Sequence, residues 1–409
     1  MSDPARSSAL ASSWLVLKAS VKSFGANRDL QTAASLAYYG FLSLMPLLLI
    51  ALIALGGMLN SSERAAQAIG GILSSALPSM SLNVLRDIRS LSSGGALSVV
   101  SFVLLVWSMT PLSAALRTAL ARMFAMMQPQ AFLKAKLLDV CAVLSFLALF
   151  LVNATLRMYN PASAGLPPDA TLVLGFISHT FLPSALSILF LGLVFRTFSP
   201  VRLTWRQWLL GAVCVTVLGA LMRHLFVMII QYNPNYGYAF GSLKALFILI
   251  VWVYYSFAAL LFGAEIMANT YRRDALLLKG LLEPGRALNQ SENSMLRKFE
   301  RILQDGEILF RENDSGNEMY VILDGEISII RAGRELARLP AGRYFGEMSL
   351  LNEAPRTATA KAVGGARLAA ITQNNFDLLV RENPTLVRGL LGELSKRLAD
   401  TNKKVDGGR

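Results

Sequence analysis

Histidine and cysteine are scarce in this chain of 409 residues, which contains two of each. Both histidines, His179 and His224, lie within apolar segments, so the sequence offers no histidine pair for general acid–base catalysis. The cysteines, Cys141 and Cys214, also lie in apolar runs, and they have neither a disulfide framework nor the spacing of metal ligands. We therefore expect no enzyme, with no catalytic residue, no metal site and no resident cofactor.

Acidic residues are few in the N-terminal part of the chain. Residues 1–295 contain 21 Lys and Arg but 10 Asp and Glu, whereas residues 296–409 contain 18 and 16. The net charge of +13 would suit nucleic acid, but the excess lies in short loops beside apolar runs, where membrane topology places it. Because no basic stripe is interleaved with aromatic residues, we expect no nucleic-acid partner.

Hydrophobic residues make up 54% of the chain, and they form long runs that stop near residue 270. A membrane-spanning helix needs about 20 mostly apolar residues. Segments of this kind lie at 34–59, 96–116, 136–157, 170–196, 207–231 and 242–268. The sequence therefore predicts a mostly α-helical membrane protein, with a bundle of about six transmembrane helices in a lipid bilayer.

Positive charge occurs on alternate connections between these segments. Lys and Arg precede the first segment, lie between the second and third and between the fourth and fifth, and follow the sixth, while 231–241 has no charge. By the positive-inside rule, both termini are expected in the cytoplasm.

The connection 61–94 is too polar to span a membrane. Its apolar residues recur near helical spacing, as at Ala65, Ile69, Ile72, Leu73 and Leu77. This pattern predicts either an amphipathic helix on the outer membrane surface or a helical cap over the bundle.

Several polar side chains fall within the apolar segments, where their desolvation is costly. Arg223 and His224 lie in the fifth segment, and Glu265 lies near the end of the sixth. One interpretation is that these three form an intramembrane polar site at a polar cavity, with Arg223 the deepest. The alternative is that a side chain lies at the membrane interface and extends toward water. We favour this alternative for Asp139, Arg157 and Glu265.

Short apolar motifs give the membrane part a family resemblance. The motif AASLAYY at 33–39 precedes LSLMP at 42–46, and YG at 236–237 leads through WVY at 252–254 to GAE at 263–265. These motifs resemble the YihY/BrkB family of bacterial inner-membrane proteins, once labelled ribonuclease BN. The resemblance implies six transmembrane helices and a transport activity, whereas the residues give the ribonuclease label no support.

After residue 273 the composition becomes that of a soluble domain. Short β-like runs separated by glycines predict strands at 308–311, 319–323, 327–330, 336–339 and 368–371, and helices at 296–304, 374–381 and 384–403. This spacing predicts an α+β domain with a small antiparallel β-barrel, or jelly roll. The chain would then comprise a transmembrane domain at 1–273, a linker at 274–295 and a cytoplasmic domain at 296–409.

The stretch 345–360, FGEMSLLNEAPRTATA, predicts a phosphate-binding cassette. Gly346 allows close approach of the backbone to an anion, and the residues after it can form a helical turn whose first amides favour negative charge. Arg356 supplies a planar, permanently charged fork for phosphate oxygens. Since Glu347 would repel phosphate, it is expected to bind a hydroxyl group such as a ribose 2′-OH.

This stretch resembles the phosphate-binding cassette of the cyclic-nucleotide-binding domain family at every motif position, within a resemblance that covers about 296–404. The resemblance implies that Glu347 binds the ribose and Arg356 the cyclic phosphate of a regulatory ligand, cAMP or cGMP. Thr401 and Asn402 are candidates for contact with the base. A domain that binds nothing is disfavoured, because such members usually lack the Arg or the Glu. The expected ligand-binding residues are Gly346, Glu347, Met348, Ser349, Arg356 and Thr357.

We therefore predict an inner-membrane protein, for transport or permeation, that is regulated by a cytoplasmic cyclic nucleotide. A non-transporting membrane scaffold or sensor is the main alternative. A cyclic-nucleotide-gated ion channel is disfavoured, because YGYAFG at 236–241 follows the fifth segment without a pore helix and no segment carries an arginine ladder. The transported substrate and a homo-oligomeric state are left open.

Overall fold

A computed structural model describes residues 4–59, 63–65, 67, 69, 95–125, 132–158, 167–232, 244–282, 296–352, 354–382 and 392. The chain divides into two compact units. One unit is Lys18–Asn269, and the other joins Met1–Leu17 to Thr270–Arg409. The division falls close to the boundary expected after residue 273, but the first residues of the chain belong to the C-terminal unit.

Long helices make up the described part of Lys18–Asn269. Their bounds are α1 Pro4–Ala26, which begins in the other unit, α2 Asp29–Leu59, α3 Gly95–Met123, α4 Phe132–Met158, α5 Pro168–Phe176, α6 Leu182–Phe198, α7 Trp205–Tyr232 and α8 Lys244–Tyr271. Helical structure covers each predicted apolar segment as far as it is described, with residues 242 and 243 outside the described residues. Among the described residues, four stretches are long and apolar enough to cross a membrane: Asp29–Gly57, Lys136–Asn153, Trp205–Ile229 and Leu246–Tyr271.

A π-helical turn, Ile177–Phe181, joins α5 to α6 directly before Pro183. Proline has no backbone N–H, and its ring clashes with the carbonyl group one turn earlier in a regular α-helix. A widened turn at this point relieves the clash, and the N–H of Leu182 bonds instead to the carbonyl of Ile177.

Part of the polar connection 61–94 is described, and residues 63–65, 67 and 69 are helical. Ala65 and Ile69 are buried in one cluster with Leu52 of α2 and Leu249 of α8. This burial agrees with a helical cap on the bundle rather than with a helix lying on the membrane surface.

Helices α7 and α8 approach closely at two glycines. A Cβ atom on Gly263 would lie 2.9 Å from the carbonyl oxygen of Gly211 and 2.3 Å from Cγ2 of Val215. Small residues allow backbones to come this close in membrane helices, where van der Waals packing drives helix association.

The C-terminal unit combines helices with one antiparallel sheet. Its elements are α9 Arg273–Leu282, β1 Glu300–Leu303, β2 Ile308–Phe310, β3 Glu318–Arg331, β4 Arg334–Pro340, β5 Tyr344–Phe345, α10 Glu347–Asn352, β6 Thr359–Thr372 and α11 Gln373–Glu382. The strand order is β1-β6-β3-β4, with β2 also paired to β6 and β5 to β3.

Several predicted segments differ from the structure. The separate strands predicted at 319–323 and 327–330 form the single strand β3, and the strand predicted at 368–371 is the end of β6. The helix predicted at 296–304 is a short 3-10 turn, Arg297–Phe299, followed by β1, because Glu300–Leu303 pairs antiparallel with β6. The predicted linker 274–295 begins inside α9, whose Ala275 and Leu278 are buried in the core of this unit. The helix predicted at 384–403 lies outside the described residues apart from 392, which is helical.

Strand β3 carries different cores on its two faces, because successive strand residues point to opposite sides. Met319 and Val321 pack with the helical residues Leu278 and Leu350. Tyr320 belongs instead to the cluster on the opposite face of the strand. The alternation therefore places Tyr320 on the face where Arg356 is found.

Candidate ligand-binding site

The site is built at the junction between β5 and α10. Gly346 connects the two elements in the left-handed region, with φ of +78°. A Cβ atom at this position would lie 2.8 Å from Nη1 of Arg356. Both the backbone conformation and the close approach therefore require glycine.

Arg356 is buried, with 4% of its surface exposed. Its Nη1 donates hydrogen bonds to the Gly346 carbonyl oxygen (3.0 Å) and to Oγ of Ser349 (2.8 Å). The Ser349 hydroxyl in turn donates to the Gly346 carbonyl oxygen over 3.1 Å. The backbone N–H of Arg356 donates to the backbone carbonyl oxygen of Asp314 over 2.8 Å, which anchors Arg356 to the loop before β3.

Aromatic rings surround the guanidinium group of Arg356. Its Cζ lies 4.1 Å from the centroid of the Phe310 ring and 5.7 Å from that of Tyr320. The rings of Tyr320 and Phe345 stack with centroids 5.6 Å apart. This arrangement holds the guanidinium plane by cation–π attraction and excludes water from it.

A glycine on the loop before β3 makes room for the same guanidinium group. A Cβ atom on Gly316 would lie 2.2 Å from Nε and 2.4 Å from Cζ of Arg356. Gly316, Phe310 and Tyr320 were not among the site residues predicted from the sequence. The alternation of β3 was a usable signal for Tyr320, whereas nothing in the sequence linked Phe310 or Gly316 to Arg356.

The electrostatics of the site fit an anion. Burial lowers the pKa of the Arg356 guanidinium, and the nearby Tyr320, Glu318 and Asp314 oppose this shift. Nε of Arg356 is buried and has no hydrogen-bond partner. Because an unsatisfied buried donor is costly, an oxygen acceptor from a ligand would stabilise this geometry.

The phenol of Tyr320 is part of the same environment. Burial, with a hydrogen bond to Glu318 and the charge of that carboxylate, raises the pKa of Tyr320 to about 12. The hydroxyl donates to Oε2 of Glu318 over 2.9 Å. Glu318 therefore accepts the hydrogen bond of Tyr320 in this structure.

The other predicted site residues differ in exposure. Glu347 is the first residue of α10 and is buried, whereas Met348 is exposed. Thr357 follows Arg356 and is also exposed. Thr401 and Asn402 lie outside the described residues. The structure thus brings Gly346, Ser349 and Arg356 into direct contact and places Glu347 on the first turn beside them.

The proposed intramembrane polar site is not assembled. Arg223 and His224 are exposed on α7, whereas Glu265 on α8 is fully buried. Gly211 contacts Gly263, and Arg223 lies about 18 Å further along α7. Arg223 lies within the candidate span Trp205–Ile229, toward its C-terminal end.

Burial also corrects the interpretation of two acidic residues. Asp139 and Glu265, which were expected at the interface, are 5% and 0% exposed. Asp139 forms an ion pair with Arg117 of α3, which explains its burial. The side chains of Arg157 and His179 lie outside the described residues.

A cavity of about 550 Å³ lies among the helices of Lys18–Asn269, the membrane unit. Its lining is almost entirely apolar, which differs from the polar cavity that one interpretation of the sequence placed at Arg223, His224 and Glu265. The hydroxyls of Ser43 and Ser256 border it, but they donate to backbone carbonyls of their own helices over 2.8 and 2.9 Å. Representative lining residues are Leu47, Met109, Phe146, Phe190, Val215 and Trp252.

Within the described ranges, no group of three or more His, Cys, Asp or Glu side chains could hold a metal ion.

Two family models match the chain. The model described as Virulence factor BrkB matches residues 20–280, and the model described as Cyclic nucleotide-binding domain matches residues 300–383. The two matches together cover both units of the fold.

Curated relatives match the C-terminal part. The cyclic AMP receptor protein of Thermus thermophilus is 32% identical over 111 residues, which are 26% of this chain and 51% of the relative. The potassium/sodium hyperpolarization-activated cyclic nucleotide-gated channel 4 of Oryctolagus cuniculus is 34% identical over 112 residues, which are 27% of this chain and 10% of the channel. The matched segment therefore spans about half of the first relative and a tenth of the second.

A solved structure of similar sequence is the catabolite activator protein of Thermus thermophilus, at 31% identity. The match covers 31% of this chain and 62% of that chain, with a TM-score of 0.27.

Proposed function

Because the chain belongs to the BrkB family of membrane proteins and carries a cyclic nucleotide-binding domain, we propose that it moves a substrate across the membrane under control of a cyclic nucleotide bound at Arg356. It would act as a transport or permeation protein and not as an enzyme. The ligand would be regulatory and not a cofactor.

One observation carries the ligand assignment. Arg356 is a buried cation whose Nε has no hydrogen-bond partner, and the described residues provide no carboxylate that forms an ion pair with it. A cyclic phosphodiester has one negative charge and free oxygen acceptors, so it would satisfy both the charge and the free N–H. Ser349 and the backbone at Gly346 border the same position.

The sugar and base assignments follow from the neighbouring residues. A carboxylate at Glu347 repels phosphate and accepts from hydroxyl groups, which suits a ribose 2′-OH close to the cyclic phosphate. Thr357 is compatible with adenine or guanine. The name of the Thermus thermophilus relative makes cAMP the first ligand to test, with cGMP beside it.

Helix α9 offers a route from the ligand to the membrane helices. Leu350 of α10 and Leu278 of α9 are buried in the same cluster of the C-terminal unit. Helix α9 begins at Arg273, and α8 ends at Tyr271, so a shift of α9 is transmitted along the chain to α8. Regulation requires that the nucleotide bind one state of the membrane domain more tightly, and coupling of about 1–3 kcal/mol is typical.

In this proposal the protein crosses the bacterial inner membrane six times. Both of its termini lie in the cytoplasm. The alternation of basic connections supports this orientation. The cavity of about 550 Å³ supports a substrate that is apolar, or has an apolar portion, because its lining offers almost no polar group to replace hydration. A homo-oligomer is compatible with the same arrangement.

Two alternatives make different predictions. A membrane scaffold or sensor would bind the nucleotide without moving a substrate. An ion channel would need a hydrated or coordinated path, which the apolar cavity does not favour. The match to the rabbit channel covers a tenth of that protein, so it supports the nucleotide-binding part alone.

Hydrogen exchange of the full-length protein in lipid nanodiscs tests ligand binding and coupling together. With cAMP or cGMP, we expect protection of peptides at 345–357 and altered exchange at 244–282. The response should persist in Arg334→Ala, which removes an exposed arginine of the same domain, and disappear in Arg356→Ala.

Two results would contradict the proposal. If neither nucleotide protects 345–357, the site does not bind them. If the pocket is protected while exchange at 244–282 is unchanged, binding is uncoupled from the membrane helices and the scaffold alternative is favoured.

A further inference from the structure

The cavity of the membrane unit is large enough for a ligand but is a poor container for water. Its volume of about 550 Å³ lies within the range of roughly 300–1,000 Å³ that is usual for ligand sites. Water enters a cavity where several polar groups can bond it, and apolar cavities stay dry. An empty cavity destabilises a protein in proportion to its volume, because the lining atoms lose contacts. The cavity therefore favours an apolar occupant.

The cavity lies at the depth of lipid chains in a bilayer. On α2 its lining runs from Gly40 to Leu47, which is about 16–27 Å along the helix from Asp29 and inside the candidate span Asp29–Gly57. On α6 the lining includes Phe198, the last residue of that helix. The cavity thus reaches from the middle of the span to one end of the helices, as a hydrocarbon chain entering from that end would.

The end of the cavity at Phe198 lies beside an ion pair. Cζ of Arg117 is 5.6 Å from the centroid of the Phe198 ring, and Arg117 pairs with Asp139 of α4. Leu116, the neighbour of Arg117 on α3, also lines the cavity. A charged pair therefore borders the apolar lining at this end, but Asp139 offsets the charge of Arg117.

Net positive charge comes from the segment 196–206, in which Phe198 lies. This segment contains three exposed arginines and no Asp or Glu: Arg196, Arg202 and Arg206. Trp205, the first residue of α7, is 60% exposed, and its ring lies 5.3 Å from Cζ of Arg206. Exposed tryptophan at the end of a membrane helix is typical of the headgroup level. Anionic headgroups are attracted to basic residues at this level.

We propose that the cavity binds one acyl chain of an anionic phospholipid, whose phosphate lies among Arg196, Arg202 and Arg206. A hydrocarbon chain gains little by leaving the bilayer for an apolar cavity, because lipid tails are as apolar as the lining. The arginines therefore supply the preference for one lipid over another. The inference deepens the proposed function by naming the class of substrate, and it rests on that function for its role in transport.

Photolabelling of the full-length protein in lipid nanodiscs, without nucleotide, tests the site. The probe is a phosphatidylglycerol that carries a diazirine at the end of one acyl chain, and peptide mass spectrometry locates the label. The rings of Phe146 and Phe190, 5.6 Å apart, line the cavity, whereas Val217 and Leu221 are exposed on α7. The ratio of labelling between these two pairs separates the cavity from the lipid around the protein.

We expect this ratio to be at least about five-fold higher for the phosphatidylglycerol probe than for a phosphatidylcholine probe with the same chain, because the zwitterionic headgroup has no net charge. In Arg202→Gln/Arg206→Gln the preference for phosphatidylglycerol should fall, while both probes still label the exposed positions.

Two glycine variants test whether the chain occupies the cavity. Gly219 borders the cavity, and a Cβ atom there meets no atom within 4 Å, so Gly219→Leu places a side chain in open space. It should lower labelling at Phe146 and Phe190. Gly175→Leu is the matched control, because a Cβ atom at Gly175 also meets no atom within 4 Å but Gly175 does not line the cavity. It should label as wild type does.

Three results would overturn the proposal. The first is label confined to Val217 and Leu221 in wild type, and the second is an equal ratio for the two lipid probes. The third is displacement of the probe by oleate as readily as by phosphatidylglycerol, which would identify a free fatty acid as the occupant. These readouts use neither nucleotide nor transport, so a labelled cavity in a protein that moves no lipid would contradict the proposed function and leave the site standing.

Discussion

Gly316 and Arg356 lie so close together that a methyl group on Cα of Gly316 would be 2.2 Å from the guanidinium Nε. The donor that has no partner in the structure is thus the atom that any side chain at position 316 would displace. Gly316 lies outside the cassette motif, yet it controls the position of the residue that the motif contributes.

We predict that Gly316→Ala lowers nucleotide affinity by about 10- to 100-fold, equivalent to about 1.4–2.7 kcal/mol. The reason is steric, since the guanidinium must move to accommodate the methyl group. Equilibrium binding of labelled cAMP and cGMP to the full-length protein measures the change. Ser315→Ala, at the exposed neighbouring position, should bind as wild type does. Equal affinities for wild type and Gly316→Ala would show that the guanidinium is not held as described.

The alkaline behaviour of Tyr320 provides a separate check on this environment. Its pKa is about 12, because of burial and the Glu318 hydrogen bond. The folded state therefore binds the phenolic proton more tightly than the unfolded state. The difference contributes about 3 kcal/mol to the free energy of unfolding. This contribution is present in full below pH 10 and is lost as the pH rises through about 12.

Ultraviolet absorbance is titrated for wild type and for Tyr320→Phe, and the second curve is subtracted from the first. The difference should show one phenol with this raised pKa. The substitution also removes the hydrogen bond to Glu318, which should cost about 1 kcal/mol of stability at neutral pH. A difference spectrum that titrates near pH 10 would contradict the buried, hydrogen-bonded position of Tyr320.

The contact between α7 and α8 predicts unequal effects of two glycine substitutions. Gly263→Ala places a methyl group against Val215 and the Gly211 carbonyl, and should destabilise the membrane unit by about 1–3 kcal/mol. Gly219→Ala, on the same pair of helices, meets no atom within 4 Å and should be neutral or stabilising by up to about 1 kcal/mol. Thermal unfolding in detergent compares them, and equal melting temperatures would argue against the close approach.

The ion pair between Arg117 and Asp139 should stabilise the packing of α3 against α4. The two side chains are 15% and 7% exposed, so Asp139→Asn leaves a largely buried cation without its partner and should cost about 3 kcal/mol. The double variant Arg117→Gln/Asp139→Asn should recover part of this loss. A double-mutant cycle on unfolding free energies measures the coupling, and additive effects would exclude the pair as a stabilising contact.

The sequence was sufficient to predict the helices and strands that depend on the local pattern of residues. Long apolar runs predicted the helices from α2 to α8, because a helix that faces lipid must be apolar over its whole length. Glycine-separated β-like runs predicted β2 and parts of β3, β4 and β6. They failed at Glu300–Leu303, whose strand conformation depends on pairing with β6, more than sixty residues later in the chain.

Contacts between distant residues set the limits of prediction at both sites. The cassette motif identified Gly346 and Arg356, but Phe310 reaches the guanidinium through strand pairing that sequence spacing does not encode. Hydropathy placed Arg223 and Glu265 within helices without specifying which helix face each occupies. The structure leaves Arg223 exposed and Glu265 buried.

Isothermal titration calorimetry of the full-length protein with cAMP and cGMP tests the central claim most directly. We predict saturable binding of at least one nucleotide by wild type and a loss of about 100-fold or more in Arg356→Lys, since lysine keeps the charge but lacks the planar fork and the Nε donor. Arg334→Lys should bind as wild type does. Absence of binding to wild type, or equal affinity in Arg356→Lys, would contradict the account.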